Sequence, residues 1–425
     1  MFTSFFKLAE RQTTVRQEII AGLTTFFTLA YIVIVAPNIL ASAGMSVHAA
    51  FVSTCVIAAI GSLLSGFIGN YPIALAPGLG LLSYFSFVVV GQLHYSWQQA
   101  LGMVFISGVL FFLVTITRIR QVIIHAIPHS LGCCIASGIG VFIGLIALKS
   151  VGLVIADSNT LVAMGSVTKP GVLLFFVGFC IIAILDGREI PGAMIIGILL
   201  TSLLGFVFKV SPFQGVVAMP DHVTEGFFAL QLSSLLHMAV IPVIFTFFIV
   251  ALFDSTGTLI GLTRQFPKDQ VSQGVQRTLL AESIAVIAAA CIGTSTVAAM
   301  VENAAGIRAG GKTGLTAVVA GIGFLLLLFF APIAVSIPSY ATAAVLFYVA
   351  CMMIKPVADI DWHKPTEFIP AVITLLMIPL TYSISNGIGL GVICYLILNV
   401  AAGKWKTIHP ALWCLGLVFL IYFLV

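Results

Sequence analysis

The feature that most limits what this chain can fold into is a succession of continuous apolar runs, from Ile19 almost to the last residue. About 20 apolar residues are what an α-helix needs to cross the hydrocarbon core of a bilayer. A closed barrel is the other spanning solution, and it would alternate apolar and polar residues over segments of about ten. These runs do not alternate, so helices are expected. Charge gives the same answer. Only 8% of residues are charged and 60% are hydrophobic, against about 25% charged in a soluble chain. So few charges cannot cover a water-exposed surface, and the chain is read as an all-α polytopic membrane protein.

Fourteen spans are read, at 19–40, 49–68, 72–92, 98–117, 128–148, 169–185, 190–209, 234–262, 274–293, 295–308, 313–333, 340–355, 366–383 and 385–402. The third and tenth are short and interrupted. A last apolar run, 408–425, either spans or lies in the interface. Residues 1–18 are a polar leader with no features of a cleavable signal peptide. Phe2, Phe5, Phe6 and Leu8 predict a short interfacial helix there.

Charge placement tests the count. With the N-terminus in the cytoplasm, fifteen of the eighteen Lys and Arg residues fall in cytoplasmic loops, and Lys149, Lys169 and Lys209 fall outside. That is the bias of the positive-inside rule. Both termini are therefore expected in the cytoplasm, in a multi-pass plasma (bacterial inner) membrane protein. The net charge of +4 belongs to these loops and implies no nucleic acid. The eight cysteines are scattered, mostly within apolar runs, and read as packing residues rather than ligands or disulfides.

Seven spans followed by seven imply two halves of opposite orientation. Thr25-Phe26-Phe27 is echoed by Thr246-Phe247-Phe248, and Ile68-Gly69 by Ile292-Gly293, at offsets of 221 and 224 residues. Inverted repeats are a transporter signature, and the binding site is sought where equivalent Gly/Pro-interrupted segments meet. Those segments are 71–85 and 293–308. Pro77 removes an amide donor, Gly78 and Gly80 loosen the helix beyond it, and Thr294 to Val297 favour extended backbone. Each segment is predicted to run from a short extended stretch into a half-helix. Irregular backbone in a membrane is tolerated only where it is buried in protein or lines a cavity. The half-helix N-termini would offer N–H groups to a small ligand.

Most acidic residues sit in loops or at helix ends, and Glu282 lies one to two turns into the ninth span on the cytoplasmic side. Asp254 and Glu302 lie within apolar segments with no Lys or Arg at similar depth. Placing a charged side chain there costs about 2.5–3.5 kcal/mol on insertion scales, so such a residue is a functional candidate. A carboxyl that alternates between neutral and charged forms can couple to protons and accept a ligand N–H. Nothing in the sequence forms a nucleophile elbow, a zinc motif or a phosphate-binding loop. No enzyme activity, cofactor or metal is implied.

Several blocks carry a resemblance. They include Gly22-Leu23-Thr24-Thr25-Phe26-Phe27-Thr28-Leu29-Ala30-Tyr31, Ala74-Leu75-Ala76-Pro77-Gly78-Leu79-Gly80, Phe253-Asp254-Ser255-Thr256-Gly257-Thr258-Leu259, and Val301-Glu302-Asn303-Ala304-Ala305-Gly306-Ile307. In order and spacing the chain resembles the nucleobase/ascorbate transporter superfamily, specifically its AzgA-like branch of purine permeases, nearly end to end. The resemblance implies a core domain (19–117 and 234–333) that carries substrate. It also implies a gate domain (128–209 and 340–402) that mediates homodimer contacts, with elevator-like alternating access between the two and an apolar tail at 403–425. It implies import of a purine base with protons. Glu302 would anchor the base and take the proton, Asp254 would be a supporting acid and second proton site, and Gly80 would support the site. Ala76, Ala299, Met300, Val301 and Asn303 would lie around the ligand.

Two positions depart from the branch. Ala251 stands where an aspartate is usual, and Leu82 where an asparagine is usual. Both are expected to shape selectivity. They keep open a reading in which the same fold carries a less polar organic solute. A channel or receptor without coupled transport is a further alternative.

Overall fold

The computed structural model describes residues 2–117, 128–157, 160–211, 215, 225–233, 240–263, 266 and 268–424. Arg118, Arg120 and Arg264 of the charge count, and the start of the eighth span at 234–239, lie outside the described residues.

The leader opens with one turn, α1 (Phe2–Phe5). Thr14 then starts α2 (Val15–Leu29) by accepting a hydrogen bond from the Gln17 amide. A side-chain oxygen in this place satisfies a donor that a helix start leaves free. α2 stops before Tyr31, and α3 (Ile32–Ala41) resumes at once. The amides of Val33 and Ile34 bond only three residues back, so the junction is a tightened turn. α4 (Val47–Leu64) widens into π-type turns over Ser65–Gly69 and ends at Asn70, whose φ is 49°. Asparagine is one of the few residues that visit this left-handed conformation readily.

Next come β1 (Leu75–Pro77) and α5 (Leu79–Ser83), which continues in wide turns over Tyr84–Val90. α6 (Trp97–Ile116) begins with a reciprocal Ser96–Gln99 capping box. α7 (His129–Ser150), β2 (Val154–Asp157), β3 (Leu161–Met164), α8 (Pro170–Gly187) and α9 (Ala193–Val207) come after it. The second half holds α10 (Ile241–Thr263), α11 (Lys268–Ile292), β4 (Val297–Ala299), α12 (Asn303–Arg308) and α13 (Gly314–Leu326). It ends with α14 (Ala331–Ser336), α15 (Ser339–Met353), α16 (Pro365–Leu380), α17 (Ile384–Ala401) and α18 (Pro410–Leu424).

Among the described residues nine helices, taken with their continuations, are long and apolar enough to cross a membrane, and five shorter apolar helices accompany them. The protein is a multi-pass integral membrane protein with a predominantly helical fold. The all-α class needs an amendment outside the interrupted segments. β2 and β3 form an antiparallel hairpin, Val154 opposite Met164 through Asp157 opposite Leu161. Val154, Ile155 and Val162 favour strand, and Asp157 turns the chain by accepting from the Thr160 amide.

Two groups of helices pack chiefly among themselves. α2, α4, α6, α11 and α13 surround the strand-bearing segments, while α7, α8, α9, α15, α16 and α17 form the other group. α10 touches α6, α11 and β4 on one side and α7 and α17 on the other. Under the strands lies a compact apolar cluster that includes Tyr71, Ile73, Leu75, Leu259, Ala285 and Val297.

Candidate functional site: two broken segments and a pair of carboxylates

β1 and β4 come from opposite halves of the chain and pair antiparallel, Leu75 with Ala299, Ala76 with Ala298 and Pro77 with Val297. They start 222 residues apart. Three residues a side give a short ladder, so neighbouring side chains complete the backbone's hydrogen bonding. Ser62 of α4 donates to the Leu75 carbonyl at 3.0 Å and accepts from its amide at 3.1 Å. Ser65 donates to the Ile73 carbonyl at 2.6 Å. Asn303 accepts from the Ala74 amide at 2.8 Å and donates to the Ala74 and Met300 carbonyls at 2.9 and 2.8 Å. The Gly78 amide bonds the Thr296 carbonyl. Backbone groups left unpaired in such surroundings cost several kcal/mol each, which is why polar side chains gather here.

Glu302 stands where β4 gives way to α12, immediately before Asn303. Its side chain is partly accessible, and Oε1 accepts a 2.7 Å hydrogen bond from the Tyr31 hydroxyl. Tyr31 is itself fully buried at the α2–α3 junction. That junction turns the ring toward the strand pair. Asp254 lies on α10 and is also partly accessible. Its Oδ2 is 3.7 Å from where a Cβ on Gly78 would sit, so it lies against the start of the first half-helix. Both acids therefore border the strand pair, Glu302 at the start of α12 and Asp254 against the Gly78 turn. One residue further along α10, Ser255 donates to Glu282 of α11, and both are fully buried.

The structure thus brings Glu302, Asp254 and the Gly78 turn together. It puts the other expected residues in different situations. Ala76 and Ala299 are buried within the strand pair. Met300 lends its carbonyl to Asn303, and Val301 is 56% exposed. Asn303 is fully buried with its amide engaged by backbone, so it frames the site. Ala251 and Leu82 are both buried. Gly80 meets the other helix group: a Cβ there would come within 2.8 Å of Ile139 Cγ2 on α7.

Sequence reasoning did not single out Tyr31 or the burial of Glu282. A tyrosine inside an apolar run needs a partner for its hydroxyl, and that was the available signal. For Glu282 there was none, because its partner Ser255 belongs to another helix.

The site is thus a membrane-embedded strand pair, broken in both halves, with acidic side chains at the breaks. The chain belongs to the family whose model, Xan_ur_permease, is described as a permease family and matches residues 16–390. The adenine permease AdeQ of Escherichia coli is 43% identical over 95% of this chain and 92% of its own length. The guanine/hypoxanthine permease PbuO of Bacillus subtilis is 39% identical over 98% of this chain and 99% of its own. Among solved structures, the transmembrane domain of the cyanobacterial bicarbonate transporter BicA matches with a TM-score of 0.65 at 14% identity, over 88% of this chain and 97% of that one. Murine Slc26a9 in its inward-facing state matches with a TM-score of 0.67 at 12% identity, over 91% and 68%. These two share the fold.

Proposed function

We propose that this permease imports a purine nucleobase of the adenine, guanine or hypoxanthine type by proton symport. Its relatives named as adenine and guanine/hypoxanthine permeases support the substrate class. The observation that carries the reading is the Glu302 carboxylate, with one oxygen held by Tyr31, at the break of one segment, while Asp254 lies against the break of the other. A purine presents ring and exocyclic N–H donors, and an ionised carboxylate accepts them strongly. With two acids in one site, Glu302 can hold the base while Asp254 carries the proton. The proton neutralises Asp254, so the loaded site crosses with one buried negative charge fewer, and each such charge is costly in hydrocarbon.

In this reading the fourteen segments form a core (19–117 and 234–333) and a gate (128–209 and 340–402). The core slides against the gate, which also forms the dimer contact, and both termini are cytoplasmic. The test is uptake of labelled adenine, guanine and hypoxanthine in cells lacking their own purine permeases, at acidic and neutral pH, with and without a protonophore. Expected is uptake of at least one base that falls when the proton gradient is collapsed. Uptake indifferent to the gradient removes symport, and absence of counterflow exchange favours a channel. A second reading, transport of a less polar solute, is favoured by the apolar, buried side chains at Leu82 and Ala251. It predicts that none of the three bases is taken up.

A further inference from the structure

The leader makes more contacts with the site's supports than an interfacial anchor requires. Arg11 is outside every span, yet its Nη1 donates to two backbone carbonyls that lie 242 residues apart, Asn70 at 2.8 Å and Lys312 at 2.6 Å. Asn70 is the foot of the first broken segment, five residues before β1. Lys312 ends the loop after α12, the half-helix that Glu302 begins. The same guanidinium lies 5.0 Å from the ring centroid of Tyr71, and that ring meets Phe266 edge-on at 5.2 Å. Phe266 lies just past the end of α10, which bears Asp254. One side chain therefore touches the supports of both broken segments and reaches the end of α10 through Tyr71 and Phe266.

Neighbouring contacts brace the same place. Glu18 is fully buried, accepting from the amides of Lys312 and Thr313 and from the Thr316 hydroxyl at 3.0, 3.2 and 2.6 Å. Asn70 Oδ1 accepts from the Gly314 amide at 2.9 Å. Gln17 donates to the Ala309 carbonyl, and Lys312 Nζ to the Gln12 carbonyl at 3.2 Å. Phe6 and Leu8 pack with Val318, so the leader is seated on α13 by apolar contact as well.

We propose that the leader is a strut of the transport site, in which Arg11 is a positioning residue that aligns the two broken segments and α10. The strand pair is three residues long, and α5 and α12 are five and six residues. Elements so short hold little register of their own. Fixing both feet to one guanidinium sets how far apart Glu302 and the Gly78 turn can drift. Without it only a fraction of carriers holds the binding geometry at any moment. Apparent affinity falls by that fraction, while a bound ligand still pulls the site together.

This rests on the nucleobase reading, and the experiment separates the two. Initial rates of labelled adenine and hypoxanthine uptake are measured for the wild type, Arg11→Ala, Arg11→Lys and Glu18→Gln, normalised to carrier in the membrane. Arg11→Ala is expected to raise KM by about tenfold with Vmax per carrier retained. Arg11→Lys, which keeps the charge and can reach one carbonyl, should recover part of it, and Glu18→Gln should act in the same direction. A merely structural role would lower Vmax through loss of folded carrier and leave KM unchanged, and that result overturns the proposal. Hydrogen exchange on the purified Arg11 variants supplies a readout without substrate. Faster exchange at 71–78 and 309–314 is expected, and wild-type protection there overturns the proposal even if the wild type carries none of the tested bases.

Discussion

The two broken segments take the same path through the protein and do different work. Each runs from a three-residue strand into a half-helix, and the strands lie side by side. The first, 71–85, offers Leu79, Leu81 and Leu82 and almost no polar side chain at its break. It faces outward from its own helix group. Gly80 abuts Ile139 of α7, and the Tyr84 hydroxyl lies 3.1 Å from Ser385 of α17. The second, 293–308, carries Glu302 and Asn303 and faces inward. Glu302 reaches Tyr31, and Gly306 packs so closely on α2 that a Cβ there would collide with Thr25 Oγ1. One segment presents an apolar surface to the other helix group, and the other carries the charge. Selectivity by polar contact should therefore respond far more to the second than to the first.

The largest effect that tests this asymmetry is at Glu302. Glu302→Gln keeps the shape and the Tyr31 contact but removes the ionised acceptor, a charge-assisted bond being worth about 1.5–3 kcal/mol. Uptake should be lost while the protein still reaches the membrane. Wild-type rates in that variant would remove Glu302 from the site. Next is Asn303→Leu, nearly isosteric, which leaves the Ala74 amide and carbonyl without their partner. About 1–3 kcal/mol is expected for each buried group so orphaned. The variant should lose thermal stability in detergent as well as uptake. A fully stable variant with altered base preference would instead make Asn303 a ligand contact.

Tyr31→Phe should come third. It deletes one hydroxyl and leaves Glu302 free to rotate, so KM should rise about fivefold to tenfold, the scale of one hydrogen bond of about 1–1.5 kcal/mol. An unchanged KM would show that the carboxylate is held by something else. Leu82→Asn tests the quieter segment. If this face only slides, the substitution costs stability and leaves the ranking among bases as it was. A re-ordered ranking would show that the first segment reads the ligand too.

Distance along the chain decides how much of this was legible in the sequence. Continuous apolar runs located the helices, because length and hydropathy are local. Pro77, Gly78 and the Thr294–Val297 stretch located the breaks for the same reason. Glu302 and Asp254 stood out because a carboxylate in an apolar run is conspicuous on its own. Contacts between distant residues did not show. Tyr31 and Glu302 are 271 residues apart, and nothing local says that the hydroxyl finds that carboxylate. Asn303 was expected beside the ligand because it adjoins Glu302, whereas its amide is tied to a backbone 229 residues away. The β2–β3 hairpin was missed because four-residue strands in which six of the eight residues are Val, Ile, Leu or Ala look like the fraying end of an apolar helix.

The smallest effect concerns the outward face of the first segment. Ser385 of α17 stands between two hydroxyls, Tyr84 of the first broken segment at 3.1 Å and Thr246 of α10 at 2.6 Å. All three residues are buried. If the two groups slide past each other during transport, this bridge must open in every cycle, and a stronger bridge would slow it. Neutral hydrogen bonds of about 1 kcal/mol each are weak enough to open repeatedly. Ser385→Ala removes both, but Thr246 keeps its bond to the Pro242 carbonyl, so the effect is small. Uptake rates should change by no more than about threefold. A change well beyond that, with a shift in which base competes, would mean that α17 contacts the ligand. The outward face would then be a second reading surface rather than a bearing.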